Sequence, residues 1–229
     1  MIALTPHLHV HSLGTVNVCF ALDDDGWWLI DTGMPGSADA ILHAAASLGQ
    51  QPTGLRGIVL THHHIDHAGS AAELHARTGA PIHAHPLDAE LIRRGIPARE
   101  TLRGGPGIAR RALMALGGGS MPRAYDPAPV AVEVEDDGSV PALGGLRAYH
   151  TPGHSAGHLA FLSARENTLI AGDACANLLG LDPSFAHEDF PLARQSLARL
   201  ATLVFERACF GHGRPIVHDA QARFRRRWA

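Results

Sequence analysis

The sequence contains no lysine; all 19 of its basic residues are arginine. That absence excludes Schiff-base chemistry on a lysine amine and the lysine of a phosphate-binding P-loop. It leaves Arg and protonated His as the only side chains able to grip an anion by charge. Cysteine is also scarce. Cys19, Cys175 and Cys209 form an odd, widely separated set, the pattern of reduced thiols rather than of a disulfide scaffold. Cys19 and Cys209 sit in apolar, strand-like runs and read as core, whereas Cys175, two positions after Asp173, is expected to approach a site. No apolar run nears the ~18 to 20 residues that a membrane span needs, and Met1 to His7 lacks the basic and then apolar pattern of a secretion signal. With a formal net charge of -3, no general attraction to nucleic acid or to an anionic membrane is implied. The basic run Arg223, Arg225, Arg226 and Arg227 reads as a solvated helix face. The expectation is a soluble, cytoplasmic protein acting on a small molecule, with its oligomeric state left open.

What is present fits one folded unit. The chain has 229 residues and is 45% hydrophobic, enough for a substantial core, and residues 1–229 are read as a single domain. Thr15 to Leu22 and Trp27 to Asp31 read as a hairpin around Asp23-Asp24-Asp25-Gly26. Ser37 is an expected N-cap for a helix carrying Ile41, Leu42, Ala45 and Leu48 on one stripe. Ile58 to Leu60 reads as a buried strand, followed by a helix at 71–77, a strand at 81–84 and a helix at 87–94. From 130 the pattern gives strands at 130–134, 145–150, 158–162 and 168–171. A helix at 192–205, a strand at 208–210 and a final helix from Asp219 complete it. Such alternation argues for sheets covered by helices. Residues 95–129 are irregular, with one helical patch at 108–116 between Gly104-Gly105-Pro106-Gly107 and Gly117-Gly118-Gly119, and read as a lid or substrate-shaping insert.

The densest chemistry lies directly behind Ile58-Val59-Leu60. In Thr61-His62-His63-His64-Ile65-Asp66-His67, four histidines and one carboxylate fall within six positions. Imidazole nitrogen and carboxylate oxygen are donors that zinc, iron and manganese accept. A strand running into a tight turn can present His62 and His64 on one side, with His63 pointing away, while the bend carries Asp66 and His67 toward a second point. Three further strand-to-turn segments carry candidates: Thr151-Pro152-Gly153-His154-Ser155, Ala171-Gly172-Asp173 and Phe210-Gly211-His212-Gly213. A faint internal echo relates Trp28-Leu29-Ile30-Asp31 to Thr168-Leu169-Ile170-Ala171-Gly172-Asp173, as if two similar halves presented their loops at a shared edge. His83, His85, His150 and His158 are candidates to buttress those loops. His7, His9 and His11 read as exposed strand residues, and His43, His75, His187 and His218 as surface or packing.

With Asp31, these segments closely resemble the five signature motifs of the metallo-beta-lactamase fold superfamily, over residues 31–212. The resemblance implies an α/β fold, a four-layer αββα sandwich of two mixed sheets with a binuclear site along one edge. It implies that His62, His64 and His154 hold one metal ion, that Asp66, His67 and His212 hold the other, and that Asp173 bridges them. Asp31 would support the ligand loops from behind. Two divalent ions are expected, zinc first, with iron or manganese accepting the same donors. They bring about +4; two carboxylates and a bridging hydroxide leave about +1, which favours an anionic group on the substrate. Asp66 is the candidate catalytic carboxylate, orienting that hydroxide or relaying a proton. An Asp at 173, where beta-lactamases generally carry Cys or Ser, looks more like the glyoxalase II, lactonase and phosphodiesterase branches. The helical extension of glyoxalase II proper is not expected, since 17 residues follow His212. The resulting expectation is hydrolysis of a small ester, thioester or lactone. A phosphodiesterase, a beta-lactamase-type hydrolase and an iron-dependent persulfide dioxygenase remain as alternatives.

Overall fold

A computed structural model describes residues 1–98, 100–104 and 124–229. Strands β1 (Ile2–Ala3), β2 (Leu8–Ser12), β3 (Asn17–Asp23) and β4 (Gly26–Ile30) lead to helix α1 (Ala38–Ser47) and strand β5 (Leu55–Val59). Helices α2 (Ile65–Ala68) and α3 (Ala71–Thr78), strand β6 (Ile82–Ala84), helix α4 (Pro86–Ile92) and strand β7 (Arg103–Gly104) follow. The second half runs through β8 (Val130–Glu133), β9 (Ser139–Val140), β10 (Leu146–His150), β11 (Leu159–Ser163) and β12 (Thr168–Ile170). It ends with β13 (Cys175–Asn177), β14 (Leu181–Pro183), β15 (Ala186–His187), helix α5 (Phe190–Ala201), β16 (Arg207–Cys209) and helix α6 (Ala220–Trp228).

Two mixed sheets dominate, one of seven strands in the order β1-β2-β3-β4-β5-β6-β8 and one of five in the order β16-β12-β11-β10-β9. Strand β4 shows how the sequence sets the layers, because successive side chains of a strand face opposite ways. Trp28 and Ile30 join Val10, Val59, Phe161, Ile170 and Cys209 in a core between the sheets. Trp27 and Leu29 turn outward to pack with Ile41 of α1, Leu74 of α3 and Ile92 of α4. On the far side, Ala160, Leu169 and Ala208 meet Leu197 and Leu200 of α5 and Phe224 of α6. Helix, sheet, sheet and helix therefore stack in four layers, as expected. Because both faces of each sheet are covered, the central strands are apolar throughout rather than alternating.

The topology also prepares one functional edge. Strands β4 and β5 are parallel, and so are β12 and β16, so the residues that follow all four emerge at their C-terminal ends. Asp31 follows β4, the histidine-rich loop follows β5, Asp173 follows β12 and His212 follows β16. The echo seen in the sequence corresponds to these two parallel pairs.

The structure departs from expectation in a few places. Ser37 makes no side-chain capping bond to α1; its N–H is instead bonded by Ser70 Oγ at 2.8 Å. Helix α5 begins at Phe190, with Asp189 capping the N–H of Leu192. The β13–β14 hairpin was not foreseen, since Ala176 to Gly180 offers neither alternation nor a two-residue turn signal. The helical patch at 108–116 and the glycine run at 117–119 lie outside the described residues. Among the described residues, no helix is long and apolar enough to cross a membrane.

Gly57 of β5 lies opposite Trp28 of β4, and the Trp28 ring fills the place where a Cβ on Gly57 would sit. Gly57→Ala should therefore destabilise the protein by ~1 to 3 kcal/mol through overpacking. An unchanged urea midpoint would contradict this packing.

Candidate metal centre

All seven sequence-selected donors converge at that edge. His62, His64 and His154 offer nitrogens that lie within 4.8 Å of one another, as do the donor atoms of Asp66, His67 and His212. A third set, His62, His67 and Asp173, joins the two. Asp173 Oδ2 is 3.2 Å from His212 Nε2 and 3.6 Å from His154 Nε2, and its Oδ1 is 3.6 Å from His67 Nε2. Asp66 Oδ2 lies 3.2 Å from His212 Nε2 and 3.7 Å from His67 Nε2. The loop geometry explains the grouping. His64 is extended (φ -62°, ψ 150°) and starts α2, whose single turn carries Asp66 and His67 away from the preceding strand direction.

Four of the imidazoles are held from behind by an oxygen. His154 Nδ1 donates to the Ala186 carbonyl at 2.7 Å, and His212 Nδ1 to the Thr15 carbonyl at 2.6 Å. His67 Nδ1 donates to Asp31 Oδ2 at 2.9 Å. Thr61 Oγ1 gives its proton to Asp31 and lies 3.0 Å from His62 Nδ1, which donates to it. A proton fixed on each Nδ1 leaves the Nε2 lone pair facing the cluster, the tautomer a metal ligand needs. His64 Nε2, His67 Nε2 and Asp173 Oδ1 are buried with no hydrogen-bond partner among the described residues. Orphaned donors aimed at one point, together with a mixed imidazole and carboxylate set, fit bound divalent cations.

Asp31 occupies the left-handed region at φ 62°, a conformation Asp tolerates better than most residues but at a cost. Bonds from the Thr61 N–H at 2.8 Å, from Thr61 Oγ1 and from His67 compensate for it. The adjacent Thr32 donates from both N–H and Oγ1 to the His67 carbonyl, each at 2.7 Å. Gly211 is required by space alone, because a side chain there would run into Asp173 and His67.

Charge divides the cluster into two sides. Burial, reinforced by neighbouring imidazoles, drives His62 and His154 well below the ordinary histidine value and His64 down to about 3, so these three are neutral. Burial also opposes protonation of His67, but Asp66, Asp173 and Asp31 outweigh it and push His67 up to about 9. For His212 too, burial is overcome by Asp173 and Asp66, and its pKa rises well above the usual range. Asp66 and Asp173 resist the protonation that burial favours, chiefly because His67 and His212 stand beside them, and stay ionised.

Comparison with known proteins places this geometry. Residues 12–212 match the family model described as the metallo-beta-lactamase superfamily. The chain belongs to that superfamily. A probable metallo-hydrolase of Bacillus subtilis, YflN, is 30% identical over 203 residues, covering 82% of this chain and 75% of the relative. A hydroxyacylglutathione hydrolase of Ectopseudomonas mendocina is 27% identical, over 80% of this chain but only 59% of its own length. Among solved structures, a metallo-beta-lactamase family protein of Thermus thermophilus superposes with a TM-score of 0.72 at 25% identity, covering 98% of this chain and 79% of that one.

Several residues of this superfamily member escaped sequence reading. Asp88 of α4 is fully buried and accepts from the His63 N–H at 3.1 Å, Ser155 Oγ at 2.6 Å and the Gly157 N–H at 2.8 Å. His63 Nδ1 also lies 3.1 Å from it, so one carboxylate ties the histidine-rich loop to the loop bearing His154. Burial disfavours its charge, but bonds from His63 and Ser155 keep it ionised. His63 thus points away from the donors, as expected. His158 Nε2 accepts the Asp173 N–H at 2.9 Å, with its Nδ1 2.8 Å from Thr151 Oγ1, so it does buttress a ligand loop. His85 and His150 stack on each other at 4.2 Å, and His83 packs edge-on against Trp28. His187, read from sequence as surface or packing, is buried and edge-on to His154. Cys175 is buried in the apolar core beneath α5 and α6 rather than in the site, whereas Cys19 and Cys209 are core residues as expected.

Asp88→Ala would leave buried donors on both loops unpaired and should cost ~2 to 4 kcal/mol, read by chemical denaturation of the metal-free protein. A loss below ~0.5 kcal/mol would remove Asp88 from its tying role. Metal loading must also displace the protons of His67 and His212. Calorimetry in buffers of different ionisation enthalpy should show about two protons released per chain at pH 7, fewer as pH rises past the His67 value of about 9. Proton-neutral binding at pH 7 would contradict the charged side of the cluster.

Proposed function

We propose that residues 1–229 form one metal-dependent hydrolase domain that cleaves a small ester, thioester or lactone carrying an anionic group. The carrying observation is the position of Asp173, which reaches His154 on one side and His67 and His212 on the other. A carboxylate so placed suits two cations sharing one ligand. His62, His64 and His154 would hold the first, and Asp66, His67 and His212 the second. Zinc suits this set, as do iron and manganese. When bound, such ions supply Lewis acidity and bring the pKa of water toward ~7.

The side chains do the rest. Asp66 is ionised and mostly buried, with its side chain 18% exposed at the cleft, so it can accept a hydrogen bond from the attacking water and carry a proton to the leaving group. Asp31, Thr61 and the Ala186 and Thr15 carbonyls fix the imidazoles before substrate arrives, so little reorganisation remains for the reaction itself. Pro97, Ala98, Leu102 and Phe185 wall a cleft of about 230 Å³ beside His64, Asp66, His154 and His212 and limit water there. The first three belong to the segment read from sequence as substrate-shaping. The hydroxyacylglutathione hydrolases among the relatives supply precedent for a thioester.

Purified protein should carry about two metal ions per chain and turn over a thioester or a lactone in preference to a chromogenic cephalosporin or a bis-aryl phosphate. A single iron with oxygen uptake on a persulfide would replace hydrolysis by dioxygenation. Asp173→Ala should lower the affinity of both ions; wild-type affinity at either would defeat the bridging role.

A further inference from the structure

Two clefts meet at the metal centre, and they differ in chemistry. Apart from the metal-facing donors, the first is walled by the apolar residues Ile65, Pro97, Ala98, Leu102 and Phe185. The second, of about 630 Å³, shares His212 and Phe185 with it and adds Ser12, Thr15, Asn17 and Arg214 to an otherwise apolar lining that includes Ile2, Val10 and Leu178. No acidic side chain lines this second cleft among the described residues. A substrate with its scissile carbonyl beside His212 therefore has an apolar wall on one side and, on the other, a larger cleft that carries one guanidinium and three uncharged polar side chains.

Arg214 is built into its place. Its N–H donates to the Asn177 carbonyl at 3.0 Å, and Asn177 Nδ2 donates back to the Arg214 carbonyl at 2.8 Å. Asn17 Nδ2 holds the preceding Gly213 carbonyl at 2.8 Å and the Phe210 carbonyl at 3.0 Å. The backbone is thus pinned from two strands two residues beyond His212, while the side chain is exposed. Its guanidinium makes no ion pair among the described residues, unlike Arg77, Arg147, Arg199 and Arg227. Unpaired arginines also occur on α6, but none of Arg223, Arg225 and Arg226 lines either cleft. In a chain without lysine, Arg214 is the guanidinium that the described lining of the second cleft offers a ligand, on a backbone held in place.

We infer that Arg214 is a specificity-determining residue, selecting substrates that carry a carboxylate on one side of the scissile bond and an uncharged apolar group on the other. The carboxylate is received by Arg214 in the second cleft, and the apolar group lies against Ile65, Leu102 and Phe185. This rests on the hydrolase reading, and the two can fail separately. Arginine suits the task because its planar fork matches a carboxylate in two-point contact.

The test uses two thioesters with the same short aliphatic acyl group, one made from a carboxylate-bearing thiol and the other from its amide. Metal-loaded wild-type enzyme should favour the carboxylate by about tenfold or more in kcat/KM, with the preference eroding as salt rises because Arg214 is exposed. Arg214→Ala should bring the ratio near one, chiefly through KM for the carboxylate substrate, and Arg214→Lys should recover part of it. Arg194→Ala, which alters a different cavity, should keep the wild-type ratio. An equal ratio in wild type and Arg214→Ala, or no preference in wild type, overturns the inference. If neither thioester is cleaved, the thioester reading falls, and calorimetric binding of the two free thiols decides Arg214 instead. Tighter binding of the carboxylate thiol to wild type but not to Arg214→Ala supports it, and the same preference in both proteins sinks it.

Discussion

The site depends on one constraint: an imidazole can aim its Nε2 at a cation only if something behind it fixes its Nδ1 proton. Four histidines here meet that condition with four different oxygens, from a carboxylate, a hydroxyl and two backbone carbonyls. The two carbonyls lie at Ala186 and Thr15, far from their imidazoles in sequence, so donor orientation is a product of the whole fold. The same requirement accounts for Asp31 being held at positive φ. Its carboxylate must reach Thr61 and His67 at once, and the backbone takes the less favourable conformation to let it.

Thr61 shows how few atoms hold the arrangement. Its N–H and hydroxyl bind Asp31, the hydroxyl also receives His62, and its carbonyl accepts the Leu159 N–H at 2.8 Å. One residue thereby couples the first sheet's ligand loop to a strand of the second sheet. Asp88 makes a parallel connection through His63, Ser155 and Gly157. These buried polar groups, each with its partners, give the edge a single register that apolar packing between the sheets would not specify alone.

Much of this was legible in the sequence because chemistry and local periodicity coincide. Apolar strands running into His or Asp turns marked all seven side chains that converge at the edge, and alternation around His63 correctly turned it away from them. Asp31 was identified as a support, although its grip on Thr61 was not. Thr61 and Asp88 were missed because a lone Thr or Asp carries no pattern of its own, whereas His158 was read as a buttress and is one. Asp88 meets Ser155 and Gly157 across nearly seventy residues, a contact that exists only once the sheets have stacked. Cys175 misled for the opposite reason. Nearness to Asp173 in sequence suggested nearness in space, but the turn into β13 sends its side chain into the core.

The metal-binding cluster and the cleft walls are drawn from different parts of the chain. The donors and their supports sit at the ends of central strands, where packing on both faces leaves little freedom. The cleft walls come instead from the 95–104 segment, from Phe185 between β14 and β15, and from Arg214 beyond β16. These are connections, whose side chains can change without disturbing a sheet core. Under the proposed function, substitutions at Leu102, Phe185 or Arg214 would redirect the substrate while the charge division of the cluster stays as it is. Substitutions at Asp31, Thr61 or Asp88 would instead loosen the proposed metal-binding side chains, and so act on every substrate alike.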